Sequence, residues 1–427
     1  MAFSIVEHLP FIKNKASGKN LFVVYCLTLT LLLFVESVMG YYFPIVLEES
    51  TGSNMSTGLV IGLCNIAALI CDFVFPEIFK KKTWKFLFLA AILIQFGFPG
   101  FTNLAIVTGG AGLFIVAGLF WNVYYEFMAF SRQNFIVSNE SKDNYSQVWG
   151  IISVLSSFVG LVGPVVGSLL LKETVGSRVL FFGMFQTLTL FSGLILISLT
   201  PKTQQEHKLR RTIHHKLSIF KDLKLWEILG GRVFPIIIIG VIISLISAAV
   251  MSFGGLMGVE MFKGEDLDWL LIVVFAIPSI IASLILTKFS VRKYKKLISQ
   301  ILIILAGLSL CVMPLLKSQP IVILICFFFC SLFLSFAWIV NEAVYSDLSE
   351  RARDEKIYIN GMERLNDSIG YLIGPIVVGF LADKTDYYVA FAFVGFICVV
   401  LGIVLIMITP KKILIPHQKI KENEGGK

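Results

Sequence analysis

Three glutamates stand inside long apolar segments of the chain, where a charged side chain costs free energy. Glu36 lies near the middle of one segment, and Glu126 and Glu342 lie in the second halves of two others. A charge near the centre of a bilayer costs about 2.5–3.5 kcal/mol on insertion scales. Such a carboxyl group can bind and release a proton, or hold a cationic ligand. Each glutamate could instead serve only as a hydrogen-bond partner for a neighbouring helix.

Aromatic and polar residues accompany these acids at helical spacing. Trp338, Asn341 and Glu342 stand at i, i+3 and i+4, on one face of a helix, and Asn122 and Glu126 also share a face. Aromatic rings beside an acid favour a bound cation through cation–π contact. We therefore predict a cavity lined by these residues: Tyr41, Trp121, Asn122, Tyr125, Trp338 and Asn341.

The composition predicts the elements that position these side chains. The 427 residues are 56% hydrophobic and only 15% charged, whereas soluble domains carry about 25% charge. Apolar runs of about 20 residues, long enough to cross ~30 Å of hydrocarbon, predict an all-α membrane protein with twelve spans. They are residues 20–47, 56–79, 83–99, 104–132, 146–171, 177–199, 233–258, 268–288, 296–316, 320–346, 357–382 and 387–409. A short turn at residues 99–103 is expected to separate spans three and four.

The basic residues predict how these spans are oriented. If the N-terminus lies inside, all but five of the 36 Lys and Arg fall on the inner side. This is the positive-inside pattern, so both termini are expected in the cytoplasm of a multi-pass cell-membrane protein. The net charge of +8 is thereby explained without nucleic acid. Arg132, at the inner end of span four, is interpreted as an interfacial anchor.

Two segments 211 residues apart repeat one pattern. Residues 143–150 and 160–167 correspond to residues 354–361 and 370–379, with aligned Asp, Gly and Pro positions. Such duplication predicts two similar six-helix bundles. The predicted divisions are an N-terminal bundle at 1–200, a basic cytoplasmic linker at 201–232, a C-terminal bundle at 233–410 and a cytoplasmic tail at 411–427.

Two such halves and their signatures resemble the major facilitator superfamily. The closest match is Gly160-x-x-Gly163-Pro164-x-x-Gly167 in span five, which is similar to the glycine–proline signature of the superfamily's proton-coupled antiporters. Span eleven repeats it as Gly370, Gly374, Pro375 and Gly379. The glycines are expected to let neighbouring helices approach closely, and the prolines permit a hinge. The resemblance implies two pseudo-symmetric bundles in which spans one, four, seven and ten line the central cavity.

The superfamily's loop signature after span two is only partly matched. Asp72 is followed by Lys80 and Lys81, so the resemblance implies a latch between the acid and these bases. In span eleven, Arg364 and Asp367 are i, i+3 neighbours and are expected to pair. Their pairing could form an inner gate or an ordinary buried ion pair.

These observations predict a secondary transporter acting by alternating access on a small organic solute. Proton-coupled export through Glu36, with Glu126 or Glu342 assisting, is the favoured version because acids and aromatics line the predicted path. A proton-coupled importer of a sugar or peptide is the alternative, followed by a lipid scramblase or a sensor. The expected partners are the solute, protons and membrane lipids, and the protein is expected to be a monomer.

Enzymatic chemistry is not predicted. The sequence contains neither an ATP-binding G-x-x-x-x-G-K-[ST] motif nor an H-E-x-x-H motif. All seven cysteines fall in apolar runs, without disulfide-framework or metal-ligand spacing. No cofactor and no metal are therefore expected, and uphill transport would need an ion gradient.

Overall fold

A computed structural model describes residues 16–79, 82–139, 145–199, 219–263, 267–288, 293–352 and 356–410, and this part of the chain is helical without strands. We number its helices α1 to α13. They are α1 (Ala16–Thr51), α2 (Asn54–Phe79), α3 (Trp84–Gln95), α4 (Gly97–Thr108), α5 (Ala111–Asn139), α6 (Tyr145–Leu171), α7 (Val175–Leu199), α8 (Ile219–Met261), α9 (Leu270–Lys288), α10 (Lys295–Cys311), α11 (Pro320–Ala352), α12 (Lys356–Lys384) and α13 (Tyr387–Ile408).

The apolar helices have the lengths that a bilayer requires. Eleven segments of the described chain are long and apolar enough to cross a membrane, with α3 and α4 together forming one of them. The apolar part of α9, Leu270–Leu286, is shorter. Its 17 residues still reach the lower end of the length range of transmembrane helices, about 17–25 residues. The prediction of an all-α, multi-span protein is confirmed.

The predicted boundary between spans three and four is wrong. Residues 99–103 do not form a turn but lie inside α4, and the connection falls at Gly109, whose φ of 67° is left-handed. Pro99 is compatible with helix because it stands in the first turn of α4, where backbone N–H groups have no intrahelical partner. Glycine adopts the left-handed region without steric cost, so it ends the helix.

The described chain divides into two compact units. The first contains the residues up to Val46 and those from Val74 to Leu199, and the second contains Leu47–Phe73 and the residues from Ile219 onward. Helix α2 therefore belongs almost entirely to the second unit. The bundle boundaries predicted from the sequence stay a prediction.

Each unit has its own apolar interior. In the first unit, Tyr25 stacks on Phe135 with ring centroids 3.6 Å apart, and the edge of Trp84 meets Phe135 at 4.9 Å. These rings belong to a buried cluster drawn from α1, α3, α5, α6 and α7. In the second unit, α12 packs extensively against α8, and α10 packs between α11 and α13.

An ion pair fixes one exposed connection of the second unit. Asp386 caps α13 by accepting a hydrogen bond from the N–H of Val389 at 2.8 Å, and it pairs with Lys317. Partial burial alone would raise the pKa of this carboxyl group. The Lys317 hydrogen bond and charge, with the N–H bonds, outweigh burial and hold the pKa of Asp386 below its usual value.

Candidate functional site

The first unit brings Glu36 of α1 against α5. The hydroxyl of Tyr124 donates a hydrogen bond to the Glu36 carboxylate at 3.0 Å, and Tyr124 is fully buried. Arg132, two turns farther along α5, interacts electrostatically with both side chains. Glu36 therefore belongs to a small polar cluster inside the first unit.

Arg132 is partly buried within the first unit, and its interpretation as an interfacial anchor stays a prediction. Its Nε atom is buried, and no hydrogen-bond partner reaches that atom within the described chain. It also interacts electrostatically with Tyr25, whose ring is held by Phe135. The sequence pattern did not reveal this aromatic contact between α1 and α5.

The remaining cavity candidates of the first unit have different surroundings. Trp121 stacks on Phe98, with centroids 4.9 Å apart and planes 10° from parallel. Asn122 donates to the Gly118 carbonyl of its own helix at 3.0 Å. Both side chains are partly buried. Trp121 thus packs against α4, and the amide N–H of Asn122 is hydrogen-bonded to the backbone of the preceding turn of α5.

Residues on the other faces of α1 and α5 complete the predicted set. Tyr41 is buried, with its ring against Gly167 of α6. Glu126 is also buried, at 3% exposure, while the preceding Tyr125 is 43% exposed. Successive residues of a helix point about 100° apart, so these neighbours face different environments. Of this predicted set, the structure places Glu36 with Tyr124 and Arg132.

The second unit contains a cluster of acids between α11 and α12. The carboxyl group of Glu342 on α11 faces that of Glu363 on α12, and Asp367, one turn farther along α12, also acts on Glu342 electrostatically. Ser244 of α8 donates a hydrogen bond to Asp367 at 2.5 Å. Two carboxyl groups can share a hydrogen bond only when one of them carries a proton. One proton can therefore be shared between Glu342 and Glu363.

Two buried amides accompany the acids. Asn366 donates through Nδ2 to the hydroxyl of Tyr345 at 2.9 Å, and Tyr345 interacts electrostatically with Glu342, Glu363 and Asp367. Asn341 precedes Glu342 on α11 and is 2% exposed. The predicted cavity residue Trp338, one turn earlier, is half exposed.

The predicted latch and gate residues also reach this cluster. Arg364 interacts electrostatically with Asp367, the partner expected from their spacing. Asp72 of α2 accepts a hydrogen bond from Ser368 at 2.5 Å, and its charge also acts on Asp367. Asp72 is thereby held against α12. Lys80 and Lys81, the bases expected to latch it, lie outside the described residues.

The three glycines of the span-five motif differ in how closely a neighbouring helix approaches them. A Cβ atom built on Gly163 would lie 2.1 Å from Oγ and 2.8 Å from the backbone carbon of Ser37. At Gly167 it would lie 2.8 Å from the Tyr41 ring, whereas at Gly160 it would meet nothing within 4 Å. Pro164 stands inside α6. Close approach of α6 to α1 is thus concentrated at Gly163 and Gly167.

The glycines of span eleven bring α12 against two helices at once. Cβ atoms on Gly370 and Gly374 would lie 2.5 Å from Ser244 Cβ and from the Leu245 carbonyl oxygen of α8. Gly379 faces α2 instead, where its Cβ would lie 2.3 Å from a backbone oxygen. Pro375 stands inside α12. On the α2 side, the close contact between α2 and α12 depends on Gly58 and Gly62, which were not among the predicted motif residues.

The end of α12 also binds the start of α2. The Asp383 carboxylate accepts hydrogen bonds from the backbone N–H groups of Asn54 at 2.8 Å and Met55 at 2.9 Å. It also accepts one from the Ser53 hydroxyl at 2.7 Å. An acid at a helix N-terminus satisfies orphan donors and complements the helix dipole. Asp383 therefore caps a helix 329 residues away in sequence.

Several members of these clusters were not among the predicted site residues. Glu363, Ser244 and Asn366 lie with Glu342 and Asp367, and Tyr124 lies with Glu36. An acid at residue 363, inside a predicted span, was a usable signal. Serines, amides and tyrosines are common in apolar helices, so only their positions in space distinguish these three.

Comparisons with known proteins agree with this fold. A crystal structure of the nucleoside transporter NupG superimposes with a TM-score of 0.70 at 13% identity, covering 92% of this chain and 100% of that chain. A bacterial homologue of the human lysosomal transporter Spinster, inward-facing and unoccupied, gives 0.62 at 13% identity, covering 93% and 96%. At such identities the likeness shows a common fold, which confirms the predicted class.

Sequence comparison extends the relationship. The chain is 24% identical over 279 residues to Multidrug resistance protein 2 of Bacillus subtilis (strain 168). That alignment covers 62% of this chain and 65% of the relative, so it spans less than two thirds of the relative's length. The sequence model of the Major Facilitator Superfamily matches residues 113–358 and 269–424, well over half of the chain. The protein therefore belongs to the Major Facilitator Superfamily.

Proposed function

We propose that this transporter couples the export of a small organic cation to the entry of protons. The observation that carries the proposal is the juxtaposition of the carboxyl groups of Glu342 and Glu363 between α11 and α12. Two facing carboxyl groups repel when both are ionised and share a hydrogen bond when one is protonated, so this pair would carry a proton and lose it when a cation takes its place. Proton and solute then compete for one site, which is the simplest basis for antiport by alternating access.

The surroundings of the pair support a site for positive charge. Asp367 and Asp72 add two further acids, while Arg364 supplies one base that acts on Asp367. With one shared proton, the acids still outnumber the base. Asp367 is exposed and Glu342 and Glu363 are partly exposed, so a cation can reach these carboxylates and is attracted by their net negative charge. Loss of the shared proton strengthens this attraction.

Glu36 is given a second role in this proposal. Its carboxylate already accepts a hydrogen bond from Tyr124 and lies near the positive charge of Arg132. These partners occupy the carboxylate of Glu36, whereas the carboxyl groups of Glu342 and Glu363 face each other. We therefore assign the transported proton first to the Glu342 and Glu363 pair. Glu36 adjusts the coupling through its neutral and ionised forms.

Export of cations is supported by two further observations. The Bacillus subtilis relative is named a multidrug resistance protein. Trp338 stands one helical turn before Glu342 on α11 and is 50% exposed. Exposed rings can bind an amphipathic cation through cation–π contact and apolar burial.

Flux measurements in proteoliposomes test the proposal. A fluorescent organic cation should move against its concentration gradient when a pH gradient is imposed, since one pH unit supplies about 1.4 kcal/mol per proton. Glu342→Gln and Glu363→Gln should each abolish this uphill movement while leaving exchange of the cation between the two sides. Asp347→Asn is the matched control, because Asp347 lies on the same helix but pairs with Lys295 at 2.7 Å.

Three results would refute the proposal. If both Gln variants kept full gradient-driven transport, the transported proton would not be carried by Glu342 and Glu363. Proton-driven accumulation of a sugar or peptide would replace export of cations by import of a nutrient. Lipid movement without solute flux would indicate a scramblase.

A further inference from the structure

Two buried amide oxygens in the second unit have no hydrogen-bond donor. Asn366 is 3% exposed and Asn341 is 2% exposed, and the Oδ1 atoms of both lack a hydrogen-bond partner within the described chain. A buried acceptor without a donor is destabilising, since its water is lost and nothing replaces it. These two oxygens are therefore unusual inside a well-packed helical unit.

Asn366 adjoins the acid cluster through Tyr345. Its Nδ2 group donates to Tyr345, whose hydroxyl interacts electrostatically with Glu342 and Glu363. Asn341 stands one helical turn before Tyr345, so these two residues share one side of α11. The cluster thus combines carboxyl oxygens with amide oxygens, and acceptors are in excess.

The fold holds Asn366 in this position. A Cβ atom on Gly240 of α8 would lie 2.2 Å from Nδ2 and 2.9 Å from Cβ of Asn366. Only glycine leaves room for the amide at this point. The close approach of α8 at Gly240 therefore fixes the amide next to Tyr345.

We propose that this cluster recognises the N–H groups of a protonated amine, so that the exported solutes are primary or secondary amines and not quaternary ammonium ions. A primary ammonium group has three N–H donors, enough to reach Asn341, Asn366 and one carboxylate. A quaternary ammonium ion offers charge but no donor, so it leaves both amide oxygens unsatisfied. The inference rests on the proposed function for the identity of the site, and it adds the chemical class of solute.

Binding of two matched cations to the purified transporter tests this inference without any gradient. The probes are phenethylammonium and its N,N,N-trimethyl analogue, which share one ring and one charge. Thermal stabilisation in detergent, measured over a range of probe concentrations, gives their affinities. We expect the primary amine to bind at least about tenfold more tightly, since two acceptors depend on its donors. Equal affinities, or tighter binding of the trimethyl compound, would overturn the inference.

Two variants identify the site of discrimination. Asn366→Leu and Asn341→Leu should each reduce the preference to within about threefold while the trimethyl compound still binds. Asn65→Leu is the control, because Asn65 is a buried amide of the same unit that donates to Ile61 and Tyr371. If both Leu variants kept the full preference, the amides would not be the recognition groups. Choline chloride at the same ionic strength serves as the reference for a further comparison. If sodium chloride stabilised the transporter as much as the primary amine does, a metal ion would occupy the site and the inference would be excluded.

The outcome is independent of transport. A preference for the primary amine without proton-driven flux would sustain the recognition site and refute the coupling. Proton-driven flux without any preference would do the reverse.

Discussion

Substituting alanine at Gly163 and at Gly160 should have opposite effects, although the sequence motif treats these glycines alike. A Cβ atom at position 163 meets the backbone carbon of Ser37 at 2.8 Å, whereas at position 160 it meets no atom within 4 Å. Carbon atoms need about 3.5 Å, so α6 and α1 must separate by roughly 0.7 Å to accept Gly163→Ala. Gly160→Ala requires no such movement.

The magnitudes follow from these contacts. Overpacking of this kind costs about 1–3 kcal/mol. The displacement also breaks the hydrogen bond from Ser37 Oγ to the Val159 carbonyl, now 3.2 Å long, at a further cost of about 0.5–1.5 kcal/mol. Gly160→Ala instead gains up to about 1 kcal/mol of helix propensity. The two variants should therefore differ in unfolding free energy by at least about 1.5 kcal/mol.

Equilibrium unfolding by SDS in mixed micelles, followed by circular dichroism, measures this difference. A third variant, Gly163→Ala with Ser37→Gly, separates side-chain from backbone overlap. It removes the Ser37 Cβ and Oγ atoms, which a Cβ at 163 would meet at 2.5 and 2.1 Å, and should recover part of the loss. Equal stability of Gly163→Ala and Gly160→Ala would refute the close approach of α1 and α6.

Three other substitutions probe hydrogen bonds. Tyr124→Phe should lower the unfolding free energy by about 1 kcal/mol or more, because Glu36 loses the donor that lies 3.0 Å away; no loss in the same SDS assay would contradict that bond. Asp383→Ala should cost about 1 kcal/mol, since the N–H groups of Asn54 and Met55 lose their acceptor, and adding Ser53→Ala should cost about as much again, because the Ser53 hydroxyl still accepts from the N–H of Ser56. Asp386→Ala should destabilise at pH 7. The lowered pKa of Asp386 means that its contribution is present above about 3.9 and lost as the pH falls through the folded value. Thermal unfolding from pH 7 to pH 3 should therefore show the variant and the parent protein converging, and a constant difference would argue against the Lys317 pair.

The sequence by itself determined what depends on local composition. Runs of apolar residues specify spanning helices because every backbone polar group in lipid must be satisfied within the helix. The span containing Glu342 and the span containing Asp367 were therefore predictable. The acids within the predicted spans were recognisable from the sequence, because placing a charged side chain in lipid costs free energy. Where a helix breaks was less predictable, since Pro99 is tolerated in a first turn and Gly109 ends the helix instead.

Only the tertiary structure decided which side chains meet. Hydropathy fixes neither the rotation of a helix about its axis nor its neighbours, because lipid and protein interior are about equally apolar. The pairing of Glu342 with Glu363, and of Glu36 with Tyr124, depends on that rotation. So does the difference between Gly160 and Gly163, since a glycine matters only where another backbone approaches it.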